Sequence, residues 1–60
     1  MTFKYVVGEK VSIPDIQVTG IVRVRRNSDG VNFYFVEYFS SLLKSMTTQY
    51  FRESKLEGGK

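Results

Sequence analysis

The chain has 60 residues, 42% of them hydrophobic and 15% aromatic, with nine Lys/Arg against six Asp/Glu for a net charge of +3. It has no Cys and no His, which excludes disulfides, thiolate and imidazole metal sites, and Cys–His or Ser–His nucleophilic catalysis. A chain this short forms one domain with a small core, because it buries only about 60% of the surface that its unfolded form exposes.

In chain order, the N-terminal stretch MTFKYVVGEK has no long apolar run of the signal-peptide kind. No segment reaches the ~20 apolar residues of a membrane-spanning helix, and a Cys-free chain suits a reducing compartment. A soluble, cytoplasmic protein is therefore expected. After the Gly8-Glu9 turn, Lys10-Val11-Ser12-Ile13 alternates polar and apolar and predicts a strand. Ile13-Pro14-Asp15-Ile16-Gln17 reads as a loop around the one proline. Thr19–Arg26 alternates again and predicts the second strand. Asn27-Ser28-Asp29-Gly30 is a turn, and Val31–Tyr38 is the third strand. Residues 39–46 are ambiguous. Thr47–Phe51 is rich in β-formers and predicts another strand, with a short helical turn over Arg52–Leu56. In the alternative, residues 41–55 form one helix with Leu42, Leu43, Met46 and Tyr50 as its apolar stripe, giving a β-hairpin sheet plus a C-terminal helix. The domain is expected to span residues 1–57, with 58–60 as a flexible tail.

The turn decides which residues face the core. A three-residue loop with Gly30 in a left-handed bulge pairs Asn27 with Val31, Val24 with Tyr34 and Val22 with Val36. A two-residue Asp29-Gly30 loop puts Val24 opposite Phe35 and breaks that consistency, since a slip of one residue flips a strand. The bulged loop is expected. Val22, Val24, Tyr34, Val36 and Tyr38 then form the core face. Ile21, Arg23, Arg25, Phe33, Phe35 and Glu37 form the outer face, in the pairs Arg25–Phe33, Arg23–Phe35 and Ile21–Glu37.

Val7-Gly8-Glu9-Lys10-Val11, Gly20-Ile21-Val22, a turn with Gly30, Tyr34-x-Val36-Glu37-Tyr38 and Glu53-Ser54-x-Leu56 follow one another in an order that resembles the small SH3-like β-barrels. These include Tudor, KOW and chromo-type modules and short phage or bacterial proteins of this size. The resemblance covers nearly the whole chain. It implies a small, all-β, five-stranded, partly open barrel with a single-turn helix near the C-terminus and a leucine plug. Phe3-Lys4-Tyr5 is similar to the first strand of small archaeal DNA-packing proteins, which are richer in lysine. Thr48-Gln49-Tyr50-Phe51 departs from the Val-Gln-Ile-Tyr stretch of the plasmid-type dihydrofolate reductase, the enzyme of this shape. Fold-level analogy does not assign function.

The candidate binding residues are Ile21, Arg23, Arg25, Phe33 and Phe35. Aromatic and Arg side chains are the enriched types at protein-binding hot spots, and neighbouring Phe rings make an apolar patch of the interface kind. The same mixture suits nucleic acid, with guanidinium groups on phosphates and rings on bases. Two other readings keep the face inside the chain: arginines laid over the Phe rings, or Leu42, Leu43 and Met46 folded over it. No P-loop, dinucleotide fingerprint or catalytic carboxylate pair is present. The expectation is a non-catalytic binding module without cofactor or metal and without a membrane role. Its partner is a protein or another copy of itself, and the alternative is weak, sequence-tolerant DNA binding.

Overall fold

Each of the alternating runs becomes a strand, and a short fifth strand follows the last turn. In a computed structural model, which describes residues 2–58, the elements are β1 (Lys10–Ile13), β2 (Val18–Ser28), β3 (Val31–Ser40), β4 (Ser45–Arg52) and β5 (Glu57–Gly58), with 3-10 turns at Pro14–Ile16 and Glu53–Lys55. All pairings are antiparallel. They make one sheet in the order β4-β3-β2-β1-β5. The sheet does not close, so β4 and β5 are its edges. The fold is all-β, five-stranded and partly open, as expected.

The helix alternative over 41–55 is overturned. Residues 45–52 pair along their whole length with β3, where β-branched and aromatic side chains fit a pleated surface better than a helix. Residues 41–44 are only the loop between them, with Lys44 in the left-handed region at φ 56° and the Ser40 hydroxyl accepting the Leu43 N–H at 3.1 Å. Glu57, at the end of the expected domain, and Gly58, the first residue of the expected tail, pair with Ser12 and Val11. Gly59 and Lys60, the rest of the expected tail, lie outside the described residues.

The core is Tyr5, Val11, Ile13, Val22, Tyr34, Val36, Tyr38 and Leu56. Four of the five expected core residues are there. The fifth, Val24, is 39% exposed. Gly20 is needed for β2 to lie this close to β3 over the core. A Cβ there would stand 2.6 Å from the Glu37 carbonyl oxygen and 2.6 Å from Val36 Cγ1, distances that only a hydrogen can occupy.

The N-terminal segment lies across the concave side of the sheet. Phe3 and Tyr5 meet the Tyr34 ring edge-on, with centroids 6.0 and 5.3 Å away. The Tyr34 hydroxyl accepts the backbone N–H groups of Lys4 at 3.0 Å and Tyr5 at 3.2 Å, and it donates to the Glu53 carboxylate. That carboxylate also accepts the Lys4 N–H at 2.9 Å and the Asn32 amide at 3.2 Å. One acidic side chain on the last turn thus joins the first segment, the middle of β3 and the end of β4. Burial, then the bond to Glu53, pushes the Tyr34 hydroxyl above its ordinary value. Hydrogen bonds from Tyr34 and the Lys4 backbone hold the Glu53 carboxyl below its own.

These contacts give two expectations for stability. Glu53 binds its proton less tightly folded than unfolded. Its contribution is complete above the ordinary value of 4.5 and disappears as pH falls through the lower folded value. Tyr34 is the reverse: its contribution is complete below 10.0 and is lost as pH rises through the higher folded value. Urea midpoints measured from neutral pH down to about pH 3 should fall, and Glu53→Gln should flatten that fall; an unchanged acid limb in the variant would assign the loss elsewhere. Gly20→Ala should destabilise by about 1–3 kcal/mol, the range for overpacking a filled site, read from the same urea curves.

Candidate functional site

The β2–β3 hairpin fixes what the convex face of the sheet displays. Its turn is the two-residue Asp29-Gly30 loop between Ser28 and Val31. Both residues take positive φ, 53° at Asp29 and 79° at Gly30, as a type I′ turn requires, and Asp-Gly is a favoured pair for it because its twist matches that of the strands. The expected three-residue loop is therefore corrected. Arg25 lies opposite Tyr34, Arg26 opposite Phe33 and Val24 opposite Phe35. Further along, Val22 still faces Val36. The conflict is absorbed between Val22 and Val24, where Arg23 is an extra residue in β2, a β-bulge.

The bulge redistributes the expected site. Ile21 pairs with Glu37 as expected. Arg23 does not pair with Phe35; its Nε donates to Glu37 Oε1 at 2.7 Å. Arg25 does not pair with Phe33. Its guanidinium lies 4.8 Å over the Phe3 ring, on the side of the sheet covered by the N-terminal segment. The alternative in which Arg25 and Arg23 shield the Phe33 and Phe35 rings is thus replaced by these two contacts. Ile21, Arg23, Phe33 and Phe35 share the convex face, and Arg25 is separated from them.

Three cross-strand rows build that face from β2, β3 and β4. Arg26, Phe33 and Arg52 form one, Val24, Phe35 and Tyr50 the next, and Ile21, Glu37 and Thr48 the third. Beyond them Phe39 lies opposite Met46. Phe35 and Tyr50 stack with centroids 4.3 Å apart and planes 15° from parallel. Phe33 meets the same Tyr50 edge-on at 6.5 Å. Arg26, Phe33 and Tyr50 line a shallow recess of about 240 Å³. Phe39 and Met46 are 55% and 56% exposed. The alternative in which residues 39–46 cover the face does not hold: Leu42 and Leu43 stand at the tip of the β3–β4 hairpin, 89% and 64% exposed, and do not fold over the rings.

Val24, Arg26, Phe39, Met46, Tyr50 and Arg52 are members that sequence reasoning missed. Asp29-Gly30 carried the signal for Val24 and Arg26, since that pair favours the two-residue loop. Tyr50 and Met46 needed the β3–β4 register, which no local pattern specifies.

Among the described residues, no group of three or more acidic side chains converges as a metal site, and no helix is long and apolar enough to cross a membrane. Comparison with protein-family models, curated proteins and solved structures gave no match. The reading of the face therefore rests on its own chemistry.

The bulged register makes a sharp contrast between two neighbouring valines. With an unbulged hairpin Val22 and Val24 are equivalent core residues; here Val22 is fully buried and Val24 is 39% exposed. Val22→Ala should cost about 2–3 kcal/mol and Val24→Ala less than about 1 kcal/mol, measured by urea unfolding. Equal losses would restore the three-residue loop.

Proposed function

We propose that this chain is a non-catalytic binding module that meets a protein surface, including that of another copy, through the convex face of β2, β3 and β4. The observation that carries this is the ladder Val24–Phe35–Tyr50, in which Val24 and Tyr50 are exposed and Phe35, stacked on Tyr50, is half-buried, continued by the exposed Phe39 and Met46. Apolar and aromatic groups gathered on one sheet face, with Arg26 and Arg52 at its end, have the composition of a binding hot spot and its polar rim. The sheet order and the single turn before Leu56 support membership of the SH3-like shape class, and the lack of Cys supports a cytoplasmic location. A non-catalytic role is supported by the use of Tyr34 and Glu53: both are shifted away from neutrality and engaged inside the fold.

Nucleic acid is the second reading. Arg26 and Arg52 flank Phe33 in one row, which allows phosphates at the sides and a base on the ring.

Selection of a random peptide library against the protein, followed by amide-shift mapping, separates the two. Peptides that shift Val24, Phe35, Tyr50 and Met46 equally at low and high salt are expected, and Phe35→Ser should abolish binding while leaving a dispersed, folded spectrum. The proposal fails if no peptide maps to this face and random-sequence duplex DNA instead shifts the same residues at low salt only, a response that marks phosphate contact.

A further inference from the structure

The edge of the sheet at β4 carries an inference of its own. β4 is eight residues long and, among the described residues, its backbone pairs only with β3. Alternate N–H and C=O groups therefore point outward over a length of roughly 27 Å. Natural edge strands of this length carry guards: Pro, bulges or Lys. β4 has none of these. Its register with β3 runs without a break from Phe33↔Arg52 to Ser40↔Ser45, and Ser45–Phe51 contains neither Pro, Gly nor any charged residue. Among the described residues the opposite edge, β5, is two residues long and offers no comparable template.

We infer that β4 is the pairing edge for a second copy of this chain, joined antiparallel about a two-fold axis at Gln49, so that the two sheets become one. The inference deepens the self-association half of the reading above but uses the strand edge instead of the convex face. The uncharged stretch 45–51 can pair with itself, which points to a second copy as the occupant, and charge sets the register. A chain with net charge +3 repels its copy wherever basic groups meet, and β4 is an uncharged stretch bounded by Lys44 and Arg52. Directly opposed residues of an antiparallel pair share a face, so the axis must pass through a residue position. An axis at Thr48 sets Lys44 against Arg52 of the second copy, like against like. An axis at Gln49 sets Arg52 against Met46 of the second copy and Ser45 against Glu53 of the second copy. It also opposes Thr48 to Tyr50 of the second copy and Thr47 to Phe51 of the second copy, pairs of β-branched and aromatic residues that favour sheet association.

Sedimentation velocity over a concentration series, with amide hydrogen exchange at its two ends, tests this. The expected result is a dimer at high concentration, with exchange slowed at least ten-fold at outward-facing amides of residues 45–52 and unchanged in β1. Gln49→Lys should return the protein to monomer with its circular dichroism unchanged, and Phe35→Ser should leave the dimer intact. A monomer at every concentration overturns the inference. A dimer that survives Gln49→Lys but is lost in Phe35→Ser also overturns it, while supporting contact through the convex face. Loss in Gln49→Lys alone, with no peptide bound to the convex face, sustains the edge and removes the face reading. If Gln49→Lys unfolds because Gln49 no longer accepts the Tyr38 hydroxyl, now 2.8 Å away, the exchange pattern of the unmodified chain decides.

Discussion

The structure depends on a conflict of parity. The Asp29-Gly30 turn has a twist that suits a right-twisted hairpin, and it sets Val24 opposite Phe35. The core needs Val22 opposite Val36. In a two-residue period these demands differ by one residue, and a strand cannot satisfy both without an insertion. Arg23 is that insertion. Because the bulge lies between turn and core, the hairpin keeps its favoured turn and the buried residues keep their partners. An extra residue also increases local twist, which helps a short sheet to wrap around one small core. The charged side chain at the bulge is not wasted in solvent, since it reaches Glu37 across the strand.

A partly open sheet of this size also needs its concave side covered. The chain does so with its own first residues, and the cover is fixed by polar contacts as much as by apolar ones. Tyr34 contributes a buried ring to the core and a hydroxyl that receives two backbone N–H groups, so the segment that crosses the sheet has its donors satisfied at the point where it enters the core. Glu53 completes the arrangement from the other end of the chain. Without disulfides or metals, this network and the Tyr5 hydroxyl on the Leu56 carbonyl at 3.1 Å fasten residues far apart in sequence, the task that a cross-link performs in many small domains.

Both surfaces proposed for contact follow from what this construction leaves open. The concave side is filled by Tyr5, Tyr34 and Leu56. Among the described residues no element covers the convex side of β2–β4, because the loop that follows β3 turns straight back into β4. Its aromatics cover one another in part, Phe35 against Tyr50 and Phe33 against the edge of the same ring. That stacking orders the face, so little side-chain freedom remains to be lost on binding.

The sequence by itself determined the class of fold and most of its core. Period-two alternation marked β1, β2 and β3, and Val22, Tyr34, Val36 and Tyr38 were legible as buried because their spacing holds wherever the neighbouring strands lie. The enrichment of Thr, Tyr and Phe favoured a strand at β4 over a helix, and the absence of Cys and His removed whole classes of chemistry. Tertiary structure decided the rest. The bulge at Arg23 has no signature in a pattern that alternates straight through it, so the sides taken by Val24, Arg25 and Arg26 could not be read locally. Glu53 looked like a turn residue because its partners, Lys4, Asn32 and Tyr34, are 19 or more residues away. Tyr50 joined the candidate face only through the β3–β4 register. Alternation tells which residues share a strand face; which strands meet, and in what register, is set by contacts between distant parts of the chain.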